Sequence, residues 1–249
     1  MCFDIDSEPP VPRLAGAAVS HDDLVLTSAD GTEFAAFRAT PDEAGTAGVV
    51  IYPDVRGLYR FYEELALRFA ERGYASVAFD YFGRSAGTGK RDDDFDYPPH
   101  VDQTTDDGVQ ADAAASIAAL RELGCSSIVS VGFCFGGRAS WVGAASGLGL
   151  AGAVGFYGSP TRERGGASAV QRAAQIECPI LALQAGDDKN ITASDNAAFE
   201  RALTGAGVQH EIVTFDDAPH SFFDRKQAEF SDASDDAWRR TLAFIEANT

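Results

Sequence analysis

The run Val131-Gly132-Phe133-Cys134-Phe135-Gly136-Gly137 constrains the fold of this chain more than any other stretch. An apolar segment, Ser127–Val131, leads into it, and a helical pattern, Phe135–Ser146, leaves it. A strand that turns sharply into a helix leaves no room for a Cβ on the residues that close the turn, which is why Gly132 and Gly136 flank it. The residue between them is thrown out above the sheet edge, and here it is a cysteine. At the start of a helix, unbonded backbone N–H groups and the positive end of the helix dipole favour thiolate over thiol. Cys134 is therefore a candidate nucleophile. Without such flanks a cysteine reads as a small buried side chain.

A turn of this kind needs a parallel sheet around it, and the remaining pattern supplies one. Leu24–Thr27 and Glu33–Arg38 alternate about Asp30-Gly31, which predicts an antiparallel hairpin at the N-terminal end. Gly48–Tyr52 and Ala75–Phe79 are buried strands, separated by a helix whose stripe is Phe61, Leu65 and Phe69 and which ends near Gly73. After a helix over Val109–Leu123 and the Cys134 unit come strands at Leu150–Tyr157, Pro179–Gln184 and Glu211–Phe215. Helices are expected at Ala193–Leu203 and Asp235–Ala247, the second with Trp238, Leu242 and Ile245 on its inner face. The expected fold is one α/β domain over residues 1–249, a mostly parallel sheet flanked by helices, with its sites at the carboxyl ends of the strands. Two stretches resist this pattern. Residues 83–107, rich in Gly, Asp and Pro, read as a long loop or lid, and Ser159–Gln175 is a polar crossover whose form the pattern leaves open.

Thirty-eight acidic residues against 20 basic ones leave a net charge of −18 at pH 7, which argues against nucleic acid or an anionic membrane as partner. The N-terminal residues lack the basic and apolar regions of a secretory signal, and no run approaches the ~20 apolar residues of a membrane span, so a cytoplasmic protein is expected. Cys2, Cys125, Cys134 and Cys178 form no C-x-x-C pair. They predict free thiols, and no metal or cofactor is expected.

A nucleophilic thiol needs a base to take its proton and a carboxylate to orient that base. The histidines are His21, His100, His210 and His220. His21 and His210 sit where surface residues are expected, and His100 lies in the candidate lid. Only His220, in Ala218-Pro219-His220-Ser221-Phe222, follows the carboxyl end of a buried strand. For the acid, Gly186-Asp187-Asp188 follows another strand end, and the pattern Gly-x-Asp-x-x-apolar selects Asp188 ahead of Ile191, leaving Asp187 as a turn residue.

The Gly-Phe-Cys-Phe-Gly-Gly elbow, the Asp80-Tyr81-Phe82-Gly83-Arg84 run, the Gly-Asp-Asp turn and the Pro-His-Ser-Phe loop together resemble the dienelactone hydrolase family of α/β-hydrolases, from about Val49 to Phe222. The resemblance implies a Cys134–His220–Asp188 triad that forms a thioester from an enol-lactone or similar ester and then hydrolyses it. It implies oxyanion donors at the backbone N–H groups of Phe135 and of Val55, the latter in Pro53-Asp54-Val55-Arg56-Gly57. It places Asp54 where the family carries a thiol-activating glutamate. It also implies that arginines hold a substrate carboxylate: Arg84 matches one of them, Asp224 stands where the family has the other, with Arg225 one place later, and Arg56 is either a substitute or a surface residue. The expected partner is thus a small ester or lactone, with monomer and homodimer both open. Two other functions compete. One is a broad carboxylesterase or thioesterase. The other is a thiol-bearing binding or redox-sensing protein that has kept the fold without turnover.

Overall fold

The computed structural model describes residues 6–43, 45–92 and 94–249; Cys2 and Asp93 lie outside them. Eight strands form one sheet in the order β1-β2-β4-β3-β5-β6-β7-β8. The N-terminal hairpin joins β1 (Val19–Thr27) to β2 (Glu33–Pro41) in antiparallel register about Asp30-Gly31, and β2 then pairs antiparallel with β4 (Ala75–Phe79). From β3 (Ala47–Tyr52) through β5 (Ser127–Phe133), β6 (Gly152–Phe156), β7 (Ile180–Asp187) and β8 (His210–Pro219), all pairing is parallel.

The central strands are buried on both faces. Val49 and Ile51 of β3 join one hydrophobic cluster while Val50 and Tyr52 join another, the period of two that a pleated strand imposes. The first cluster is covered by α1 (Arg60–Ala70), through Phe61, Leu65 and Phe69, and by the last helix, through Ala237 and Ile245. Each large side chain so buried stabilises the fold by roughly 1.5–3 kcal/mol.

Residues 83–107, expected to be a long loop or lid, carry local structure of their own. They contain two one-turn helices, α2 (Gly83–Ala86) and α3 (Pro98–Val101), and Phe95, Tyr97 and Val101 pack onto the core. The buried Arg91 guanidinium lies 2.8 Å from the buried Asp80 carboxylate and 4.6 Å above the Phe95 ring, which stacks on His100. A few aromatic anchors and one buried ion pair thus order a stretch whose composition reads as polar.

The next helix, α4 (Asp106–Glu122), starts a turn before its apolar stripe because the Thr105 hydroxyl accepts the Gly108 N–H and two aspartates occupy the first turn. After β5 comes α5 (Phe135–Ala144). The crossover to β7 is irregular apart from one 3₁₀ turn, Ala173–Gln175. A Thr192–Asp195 capping box opens α6 (Ala193–Ala206), and α7 (Ser231–Asn248) closes the chain with Trp238, Leu242 and Ile245 turned to the core. No described helix is long and apolar enough to cross a membrane.

Candidate active site

The elbow is as tight as its glycines imply. A Cβ on Gly132 would collide with the carbonyl of Gly136, and one on Gly136 with the carbonyls of Tyr52 and Pro53. Cys134 takes φ 54° and ψ −109°, a conformation disfavoured by about 1–3 kcal/mol for a non-glycine residue. Its N–H donates to Phe156 O at 2.9 Å, so the strained turn is bolted to β6. The side chain is half-buried at the end of β5 and lines a cavity of about 560 Å³.

Asp188 and His220 meet although one follows β7 and the other β8. The pairing of these strands slips between Ala185 and Asp187, so that Asp187 lies against Pro219, and this bulge brings the two loops level. His220 Nδ1 is 2.5 Å from Asp188 Oδ2. The other oxygen of Asp188 accepts the N–H groups of Asn190 at 2.8 Å and Ile191 at 3.2 Å. Burial, the largest single influence, would raise the Asp188 carboxyl. The hydrogen bonds from His220, Asn190 and Ile191 together outweigh it and hold the group below the ordinary carboxylate value. Asp187 is exposed. His220 lines the same cavity as Cys134, and its ring lies 4.9 Å from that of Tyr157.

Val55 and Phe135 also line this cavity, and neither backbone N–H has an acceptor among the described residues. The loop that presents Val55 is fixed by Asp54, which is fully buried. Its carboxylate accepts the Arg56 N–H and Nη2 at 2.9 Å each and the Tyr59 hydroxyl at 3.3 Å, while its own N–H donates to Tyr62. Burial works against the Arg56 charge, but Asp54 outweighs it and raises the guanidinium. Asp54 and Arg56 therefore satisfy each other beneath the loop, and neither lines the cavity.

The other arginines expected at the site lie elsewhere, because acidic side chains claim them first. Arg84 Nη1 binds both oxygens of buried Asp112, at 3.0 and 2.7 Å, and its Nε binds Asp30 at 2.9 Å, tying α2 to α4 and to the hairpin. Arg225 pairs with Glu8. Asp224 is buried and accepts from Ser7 Oγ at 2.8 Å, so this side chain anchors the N-terminal segment. Arg84→Ala is expected to destabilise the protein by about 2–4 kcal/mol in urea unfolding, because it leaves the buried Asp112 carboxylate without its cationic partner and with only the Ser28 hydroxyl as side-chain donor. The ratio of kcat/KM on anionic to neutral esters should stay within about twofold. A tenfold fall in that ratio without loss of stability would return Arg84 to substrate binding.

Several cavity residues have no counterpart in the motifs: Tyr97, Tyr157, Ser159, Arg138, Arg162 and Arg164. One signal for the last two was present. Residues 159–175 carry three arginines, 162, 164 and 172, immediately after a buried strand of a strongly acidic chain.

The chain is similar to known proteins over most of its length. A protein of Escherichia coli (strain K12), whose name of carboxymethylenebutenolidase is itself provisional, is 27% identical over 256 residues, covering 96% of this chain and 93% of that one. The crystal structure of a provisionally named dienelactone hydrolase from Klebsiella pneumoniae superposes with a TM-score of 0.81 at 25% identity, over 92% of this chain and 99% of that one. A dienelactone hydrolase-like promiscuous phosphotriesterase from metagenomic libraries shares the fold with a TM-score of 0.78 at 21% identity, over 94% and 99%. Residues 34–249 match the dienelactone hydrolase family as a whole. The chain belongs to the dienelactone hydrolase family of α/β-hydrolases.

Proposed function

We propose that the protein hydrolyses small esters or lactones through a thioester on Cys134, with His220 as base and Asp188 as the carboxylate that orients it. The observation that carries this reading is the 2.5 Å Asp188–His220 bond, made at two strand ends, with His220 opening on the cavity that Cys134 lines. Asp188 holds the imidazole with Nδ1 protonated, so that Nε2 accepts the proton from the thiol. The sulfur attacks the carbonyl carbon, and the oxygen takes the negative charge beside the N–H groups of Phe135 and Val55. The tetrahedral species collapses as the C–O bond breaks, and the leaving oxygen takes the proton from His220. In a lactone that oxygen stays tethered to the acyl group. Water, deprotonated by His220, then attacks the thioester, and the carboxylic acid leaves with the thiol restored.

The test is intact-protein mass spectrometry after rapid acid quench, with a panel of activated esters and lactones, followed by peptide mapping. One acyl group should map to Cys134. The other described cysteines make internal controls, since burial pushes the Cys178 thiol up to about 12 and raises Cys125 as well. Acylation spread over Cys125 and Cys178, or turnover without any adduct at Cys134, would overturn the reading.

A further inference from the structure

The cavity walls differ in character. Val55, Phe135, Tyr157 and Ile191 supply apolar surface around the thiol, whereas the segment joining β6 to β7 supplies Arg162 and Arg164. Arg138 lines the cavity too, but its charge is already matched. It makes two 2.7 Å bonds to the carboxylate of Asp106, and both side chains are buried. Its Nε donates to Arg162 O at 2.7 Å, so this neutral pair holds the arginine-bearing segment against the elbow helix.

The charges of Arg162 and Arg164 are not matched in this way. Arg164 donates to Val101 O and to Thr104 Oγ1, both uncharged, and its guanidinium lies 5.0 Å above the ring of Phe135, the residue after the nucleophile. Among the described residues the Arg162 side chain makes no hydrogen bond or ion pair. Burial first, then Arg162 and Arg138, depress the Arg164 guanidinium; Asp102 acts in the opposite sense more weakly than either arginine and forms no ion pair with it. Most other arginines of this protein of net charge −18 find acids, as in Arg38–Asp22, Arg68–Glu71, Arg91–Asp80 and Arg240–Asp236. Among the described residues Arg13, Arg121, Arg172 and Arg201 also lack an ion pair, but Arg162 and Arg164 are the two that line the cavity holding the thiol without a carboxylate partner. One carboxylate would neutralise only one of them. A dianion, such as a phosphate monoester, matches both and accepts the guanidinium fork geometry through three oxygens.

We propose that Arg162 and Arg164 form a subsite for a doubly charged oxyanion group, and that the esters or lactones taken best carry a phosphate or phosphonate on the part held against this wall. The phosphoryl group is bound and not cleaved. As a statement about substrate this rests on the hydrolase reading, whereas as a statement about binding it does not.

Two arms test it with wild type and the Arg162→Gln/Arg164→Gln variant, whose thermal unfolding is recorded alongside. In the first, inorganic phosphate and acetate are titrated calorimetrically at matched ionic strength. Phosphate should bind at least about tenfold more tightly than acetate, and the double variant should lose that preference. In the second, kcat/KM is compared for 4-nitrophenyl esters whose acyl chains end in phosphonate, carboxylate or methyl. Wild type should favour phosphonate over methyl by about ten- to a hundredfold, with carboxylate between, and the ratio should fall towards one in the double variant. Carboxylate equal to or better than phosphonate would overturn the dianion assignment. The same order persisting in a folded double variant would overturn the residues. Phosphate binding without a phosphonate preference would overturn the substrate claim. Turnover of no ester at all, with phosphate binding intact, would sink the hydrolase reading and leave the subsite standing.

Discussion

Cys134→Ala is expected to lower kcat on an activated ester by at least about 10⁴-fold while leaving unfolding within about 1 kcal/mol of wild type. The size follows from the proposed role: in that mechanism no acyl-enzyme forms without the sulfur, and the histidine and oxyanion donors are left only to assist direct attack by water. The unchanged stability follows from the geometry. The side chain is half-buried at the cavity, and the hydrogen bond that bolts the elbow to β6 is made by the backbone N–H, which alanine keeps. Alanine also meets the same penalty at φ 54° that cysteine already bears. Steady-state kinetics and urea unfolding on the same preparation separate the two effects. Activity within tenfold of wild type would remove Cys134 from the chemistry. If wild type turns over nothing while peroxide modifies Cys134, the redox-sensing alternative takes its place.

The parts of this protein that are legible in its sequence are those fixed by local sterics and by strand period. The strand Ala75–Phe79 has the same bounds in pattern and in structure, because all five residues are buried and a helix end and a turn bracket it. The elbow is legible because only glycine fits beside Tyr52 O, Pro53 O and Gly136 O. Asp188 is separable from its neighbour Asp187 because the turn after β7 lets its carboxylate accept the N–H groups two and three residues later, a local constraint. The arginines are different. Arg84 lies within the Asp80-Tyr81-Phe82-Gly83-Arg84 run, yet its destination is set by Asp112 and Asp30, distant in sequence, and no local pattern announces that pairing. Asp54 is similar. Its place in the loop is readable, but the neighbouring Arg56 and Tyr59 draw the carboxylate beneath the loop. Residues 83–107 mislead for a related reason, since composition averages over a stretch in which a few side chains, Arg91, Phe95 and Val101, decide the packing.

Asp188→Asn should reduce kcat by about 10³–10⁴-fold with KM changed only a few-fold. An asparagine can turn its amide N–H towards His220 Nδ1, which then accepts, and the proton moves to Nε2, the nitrogen that takes the proton from the thiol in the proposed mechanism. Substrate binding needs no such proton, so the loss falls on kcat. Asp187→Asn is the matched control and should stay within about threefold, because that side chain is exposed. The two variants also differ in how stability depends on pH. The Asp188 carboxyl is held below its ordinary value by His220 and two backbone N–H groups, against a burial that would raise it. A carboxyl depressed on folding contributes stability that is present above its unfolded pKa, about 3.9, and is lost as pH falls through the lower folded value. Wild type should therefore exceed Asp188→Asn in unfolding free energy most at neutral pH, and the gap should close as pH is taken below about 4. For Asp187→Asn the gap should be small throughout. If Asp187→Asn shows the large fall in kcat and the acid-sensitive gap while Asp188→Asn does not, the adjacent aspartates exchange roles in solution. The bulge that aligns β7 with β8 would then be set one residue differently from the register in which Asp187 faces Pro219.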